Sequence, residues 1–234
     1  MRMTSSAPRR VSWELIGLLA VAAMFLVGGL RWLLSAGARG EIRAPEHLTL
    51  DVAAGLPSGT TPEGEPYIGS PSAPLTVEVV GDFQCPHCRR FAQGAGDEIL
   101  RDYVAPGKVR LVWIGVGFDG AESAASAAAG LCAAAQGLFW PMHDWLFHNQ
   151  SSVLNSGAFS RPRLEQMAAG AGLDAARFGR CLDDPATAAK VEANDDFARG
   201  RSVFQTPAFV IGDRLVEGVD IPGLRAAIDA ALAE

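Results

Sequence analysis

The sequence predicts an α/β domain in which two strand-bearing units flank an all-helical block, and three observations carry that expectation. An apolar run from Leu75 to Val80, broken only by Thr76 and Glu78, has the length of one buried strand and leads into Cys85-Pro86-His87-Cys88. A second buried run, Lys108 to Val116, follows the segment after those cysteines. Near the C-terminus two short runs, Ala208–Ile211 and Arg214–Glu217, meet at Gly212-Asp213, the turn chemistry of a hairpin.

Taken in order, residues 1–12 are polar, with Arg2, Arg9 and Arg10, and read as a cytoplasmic segment. Residues 13–34 contain an uncharged run from Leu15 to Leu30, with Trp13 and Trp32 near its ends, about the length of a bilayer span. They predict a membrane anchor through an N-terminal helix. A cleaved signal segment is the alternative, because Ala36-Gly37-Ala38 resembles a small-residue cleavage site. Residues 35–66 turn to Gly, Pro, Ser, Thr and Glu and predict a flexible tether or an arm lying on the domain.

The domain proper spans 67–234, with Tyr67-Ile68-Gly69 as a short first strand. A helix is expected from Pro86 to about Tyr103, since proline suits a first helical turn, where its missing N–H would have no partner. After the Lys108–Val116 strand come helices over Ala121–Gln136, Leu138–Gln150, Pro162–Ala169, Asp174–Leu182 and Pro185–Gly200. Asp174 is a candidate N-cap. The hairpin and a last helix from Ile221 to Leu232 close the chain. Without the helical insertion, about residues 119–200, this is the βαβ…ββα order of a thioredoxin fold.

Charge narrows the function classes. Residues 1–43 carry six arginines against Glu14 and Glu41, net +4, which leaves −10 for the rest of a chain whose formal charge is −6. An acidic body with scattered arginines argues against nucleic-acid binding. The sequence shows no Gly-rich phosphate loop, and no cofactor is expected.

The chemistry sits in the C-x-x-C. A cysteine at a strand-to-helix junction lies at the positive end of the helix, where backbone N–H groups favour a thiolate. Cys85, exposed and partly ionised, is expected to attack or be attacked, and Cys88, one turn deeper, to resolve the mixed disulfide. Half a zinc site competes with this reading. Zinc wants four ligands, and Cys132 and Cys181 lie 49 residues apart with no pairing spacing, so a metal ranks well below a redox couple. His87, as cation or ring donor, would stabilise the Cys85 thiolate; the alternative is a turn histidine without effect. Asp82 either braces the turn or relays protons. His47, His143 and His148 receive no chemical role.

Several of these residues together resemble the DsbA-like thiol:disulfide oxidoreductases, in particular their membrane-tethered bacterial branch. The resemblance rests on Asp82-Phe83-Gln84-Cys85-Pro86-His87-Cys88 and on Gly137-Leu138-Phe139-Trp140 with His143-Asp144 and Leu146-Phe147. Thr206-Pro207 and Gly212 with Gly218 complete it. It implies that Cys85 is the nucleophile and Cys88 the resolving cysteine, with Pro86 and His87 between them tuning the couple. It also implies a cis Thr206–Pro207 bond facing the active sulfur, X-Pro being the only inexpensive cis peptide.

One departure stands out. The family's buried acid, six positions before the first cysteine, is replaced by Val79, which leaves Glu78, Asp82 or water for proton relay. Cys132 and Cys181 are expected to pair as a structural disulfide, as in some relatives; two separate buried thiols are the alternative.

The implied activity is disulfide donation to reduced, unfolded exported proteins by a monomeric, extracytoplasmic (periplasmic or extracellular) domain, reoxidised by a membrane quinone-linked partner. A disulfide isomerase, a reductase serving cytochrome c maturation and a non-catalytic tethered binding module are the rivals. Pro86-His87 argues for an oxidant, whereas Thr206 before the proline also suits isomerases.

Overall fold

The computed structural model describes residues 21–25, 40–52 and 55–234. The chain divides into one unit of residues 1–40 and another of residues 41–234. In the first, residues 21–25 are helical and exposed. No helix among the described residues is long and apolar enough to cross a membrane, and the segment expected to span one, 13–34, lies outside them except for 21–25.

The second unit is built on a six-stranded sheet. Its strands are β1 (Ser58–Thr60), β2 (Pro66–Ile68), β3 (Leu75–Gly81), β4 (Val109–Gly115), β5 (Ala208–Ile211) and β6 (Arg214–Glu217), in the order β1-β2-β4-β3-β5-β6. Only β3 and β4 run parallel; every other neighbouring pair is antiparallel. Both faces of the central strands are covered, which is why β3 and β4 read as nearly continuous apolar runs.

Register decides which face each residue serves. Val79 pairs with Trp113 and Phe209, and all three join the larger core with Cys85, Cys88, Phe83 and Phe147. Glu78, one residue earlier, pairs with Val112 and Val210, which belong to a smaller core with Val80, Ile114 and Ala198 on the opposite face. Cross-strand partners share a face, and a shift of one residue along a strand changes it.

The helices are α1 (Thr49–Val52), α2 (Pro86–Arg90), α3 (Asp97–Ile99), α4 (Ala121–Ala134), α5 (Phe139–His148), α6 (Arg161–Gly170), α7 (Ala175–Asp183), α8 (Pro185–Gly200) and α9 (Ile221–Leu232). The long helix expected from Pro86 to Tyr103 is broken. Phe91–Ala95 and Leu100–Val104 are π-helical turns on either side of α3, and the kink falls at Gln93 and Gly94. Gly94 has φ +145, which a side chain would resist, and Gly96 lies against the Phe91 ring, where a Cβ would come within 2.9 Å of Cζ.

The later helices follow their caps. Asp174, Asp184 and Asp220 each accept a backbone N–H at the start of α7, α8 and α9, and Pro185 and Pro222 occupy first turns. A bond joins Cys132 of α4 to Cys181 of α7 across a Cα–Cα distance of 5.7 Å. Before the sheet, residues 41–52 lie on the body as an arm. Thr49 donates to Asp144 through its N–H (2.8 Å) and hydroxyl (2.6 Å), and Asn149 exchanges two hydrogen bonds with the Arg43 backbone.

Candidate active site

Strand β3 ends at Gly81, beneath the Trp113 ring; a Cβ there would lie 2.3 Å from Cη2 of that ring. Glycine lets the strand turn directly under the indole. The chain then passes through Asp82, Phe83 and Gln84 to Cys85, which is the N-cap of α2 with Pro86 in the first turn. The Cys85 N–H closes the turn on Asp82 O at 3.1 Å. Phe83 anchors the turn from below, in an aromatic cluster with Trp113 (5.3 Å between centroids) and Phe147 (4.9 Å).

The Thr206–Pro207 bond is cis, and it precedes β5, which pairs with β3. This places the Thr206 carbonyl 3.1 Å from the Cys85 sulfur, with the thiol as donor. Cys85 is 6 % exposed, so the expectation of an exposed sulfur is corrected: the Thr206–Pro207 loop covers it, while Pro86 and His87 are the exposed residues. Cys88 lies deeper, at 1 %.

Both cysteines are free thiols and their acidities are driven apart. The Cys88 thiol, hydrogen-bonded to the Cys85 sulfur, is the main cause that brings Cys85 down to about 5; Thr206 and the N–H groups of Cys88 and His87 add to it, against the opposing effect of burial. Burial raises Cys88 well above the ordinary thiol value, and the neighbouring Cys85 sulfur pushes it further. Near neutral pH the pair is one thiolate beside one thiol. What His87 brings to the sulfur is its backbone N–H, while its imidazole is exposed to solvent.

Asp82 is fully buried and acts on the turn. Oδ1 accepts from Gln84 N (2.8 Å) and the Ser123 hydroxyl (2.7 Å), and Oδ2 from Asp119 N (3.2 Å). Burial raises its pKa to about 6, while these three donors pull the other way. Glu78, also considered for proton relay, lies on the far face of the sheet and is set aside for that work. Burial raises its pKa and the charge of Arg201 opposes the rise. His143 is 3 % exposed, with Nδ1 2.9 Å from Asp144 Oδ1, inside the ring cluster of Trp113, Phe139, Trp140 and Phe147. It packs the core. Among the described residues no group of three or more His, Cys, Asp or Glu side chains is arranged to hold a metal ion.

Three polar residues around the turn, Ser123, Gln150 and Asn155, carried no sequence signal, and Gln84 was legible only as part of the motif. Gln84 donates to Ser123 Oγ (3.0 Å) and accepts from the Asn155 N–H (2.8 Å). Asn155, at φ +50, bonds the Asp119 carbonyl at 2.7 Å, and Gln150 donates to Phe83 O and Cys85 O. Their partners lie 35 to 71 residues away in sequence, so only the folded insertion brings them together.

A thioredoxin family model matches residues 61–230. The chain belongs to the thioredoxin family. Disulfide bond formation protein D of Bacillus subtilis is 26 % identical over 178 residues, covering 71 % of this chain and 75 % of that protein. Among solved structures, oxidised BdbD from Bacillus subtilis superposes with a TM-score of 0.68 at 24 % identity, covering 76 % of this chain and 99 % of its own, a likeness of fold. A Na(+)/H(+) antiporter, NhaA 1 of Salinispora arenicola, is 34 % identical over 176 residues, which cover 74 % of this chain. The chain spans about a quarter of the length of that antiporter and of a second one from Salinispora tropica.

Proposed function

We propose that the protein is a thiol:disulfide oxidoreductase that introduces disulfides into reduced, unfolded exported proteins through Cys85 and Cys88. The observation that carries this reading is the split acidity of the two thiols, with Cys85 down to about 5 and Cys88 above its ordinary value. A substrate thiolate attacks the Cys85 sulfur of the oxidised pair. The Cys85–Cys88 bond breaks, its electrons go to Cys88, and the Cys88 sulfur takes a proton because its acidity is so weak. A second substrate thiolate then attacks the substrate sulfur of the mixed disulfide and expels Cys85 as a stable thiolate. Two substrate thiols become one disulfide, and the enzyme's disulfide becomes a dithiol. A low-pKa leaving thiol speeds the last step, and a stabilised reduced form makes the couple an oxidant.

Thr206 and Pro207 border the sulfur and pair with an extended substrate segment, and Asp82 holds the turn. The domain works as a monomer on the extracytoplasmic side, tethered by residues 13–34, and a membrane quinone-linked oxidase restores its disulfide. The Cys132–Cys181 bond supports an oxidising compartment, since disulfides persist there and are rare in the cytosol.

The test mixes full-length oxidised protein with a reduced, unfolded secreted protein and counts remaining thiols. Loss of about two substrate thiols per mole of protein is the expected result. No loss over background, or equal loss with Cys85→Ala, contradicts the proposal.

A further inference from the structure

Gln150 stands apart from the reacting sulfurs yet touches the backbone that carries them. Its side-chain nitrogen donates to two carbonyls of the turn, Phe83 O at 2.7 Å and Cys85 O at 3.0 Å, and the residue is 8 % exposed. A primary amide has two N–H donors, so one side chain serves both carbonyls at once. The residue lies just past the end of α5, where its own N–H bonds Phe147 O at 3.4 Å. Phe147 in turn packs on Phe83. One helix end therefore grips the turn twice, by a ring and by an amide.

Planar peptides transmit that grip. Fixing Phe83 O orients the Gln84 N–H on the other side of the same peptide, which donates to Asp82. Fixing Cys85 O sets the peptide that enters α2 at Pro86, and the same carbonyl accepts the Arg89 N–H at 3.1 Å. The next N–H groups along this entry, those of His87 and Cys88, are the backbone donors that help lower the Cys85 pKa. No other side chain among the hydrogen bonds of the described residues reaches the Phe83 or Cys85 carbonyl.

We infer that Gln150 is a positioning residue for thiol exchange: its amide ties the entry of α2 to the helical insertion and keeps the His87 and Cys88 amides aimed at the Cys85 sulfur. This rests on the reading of Cys85 as the attacking sulfur. It gives the insertion a part in the chemistry, delivered from 65 residues away in sequence.

The test titrates the reduced full-length protein and Gln150→Ala by thiolate absorbance near 240 nm, alongside thermal unfolding. The Cys132–Cys181 bond keeps those two sulfurs out of the titration, and Cys88 ionises far above Cys85. Loosened amide donors are expected to raise the Cys85 step by about one unit. The rate of reaction with a small disulfide at about pH 5 is then expected to fall about twofold, because the thiolate fraction drops about fivefold while the more basic thiolate regains part of the loss. A variant that melts earlier with its step unmoved would make Gln150 a structural strut and overturn the inference; so would a variant unchanged in both. Should Gln150→Ala fail to fold, Gln150→Asn, one methylene too short to reach both carbonyls, carries the same two outcomes. A wild-type chain that titrates low but oxidises no protein sinks the proposed function alone, because the titration does not depend on it.

Discussion

The molecule holds two pairs of cysteines, and they are treated in opposite ways. Cys85 and Cys88 sit at the start of a five-residue helix, beside a loop and under a polar network, and remain thiols of unlike acidity. Cys132 and Cys181 join the last turn of α4 to the last turn of α7, with Cys132 fully buried, and are bonded. Backbone donors and a neighbouring thiol stabilise a leaving thiolate at the first pair. Helix packing surrounds the second, with only the Thr187 hydroxyl 3.6 Å from the Cys181 sulfur. The lesson is that environment, more than spacing, separates a reactive couple from a staple.

The comparison breaks most sharply at the first pair. Cys85→Ala is expected to abolish protein oxidation, whereas Cys88→Ala should accumulate a mixed disulfide that a non-reducing gel resolves. Equal behaviour of the two variants would erase the division of labour between the sulfurs. At the second pair, the double variant Cys132→Ala/Cys181→Ala is expected to lose about 4 kcal/mol in chemical denaturation, from the chain-entropy cost of a loop that long. Its Cys85–Cys88 equilibrium with glutathione should stay in place. Movement there would mean that the staple also tunes the couple.

Asp82 sharpens the account of the network. Its folded pKa, about 6, lies above the ordinary carboxyl value, so the folded state holds that proton more tightly than the unfolded chain. Its contribution to stability is full below about pH 4 and is lost as pH rises through 6, by up to roughly 3 kcal/mol. Asp82→Asn is expected to flatten that part of a stability-versus-pH curve; an unchanged slope would assign it elsewhere. The smallest effect belongs to Glu78→Gln. Because Glu78 faces the other side of the sheet, the thiolate titration and exchange rate should not change. A shift in either would return Glu78 to the proton path.

Local signals carried most of the fold. Asp174 before a helix, Gly212-Asp213 between short runs and Pro86 after Cys85 each announce themselves within a few residues, and the structure uses all of them. The break at Gly94 was less legible, because a glycine inside a helical pattern marks either a tolerated residue or a kink, and packing of Phe91 against Gly96 decides. Short strand β1, Ser58–Thr60, hides in a polar stretch because its residues are exposed and its pairing with β2 supplies the order.

In the site, the cysteines and Thr206-Pro207 were readable as motifs. The covering of Cys85 and the clamp from Gln150, Gln84 and Asn155 were not, since each depends on segments distant in sequence. The face of Glu78 needed the register, which the alternation of a strand buried on both sides does not reveal.

The most direct measurement equilibrates the full-length protein with glutathione buffers and reads the fraction of Cys85–Cys88 disulfide. A thiolate as stabilised as Cys85 predicts an oxidising couple, at about −120 mV, the value typical of a strong disulfide donor. A potential at or below about −200 mV, in the range of isomerases and reductases, would contradict the direction of electron flow proposed for this protein.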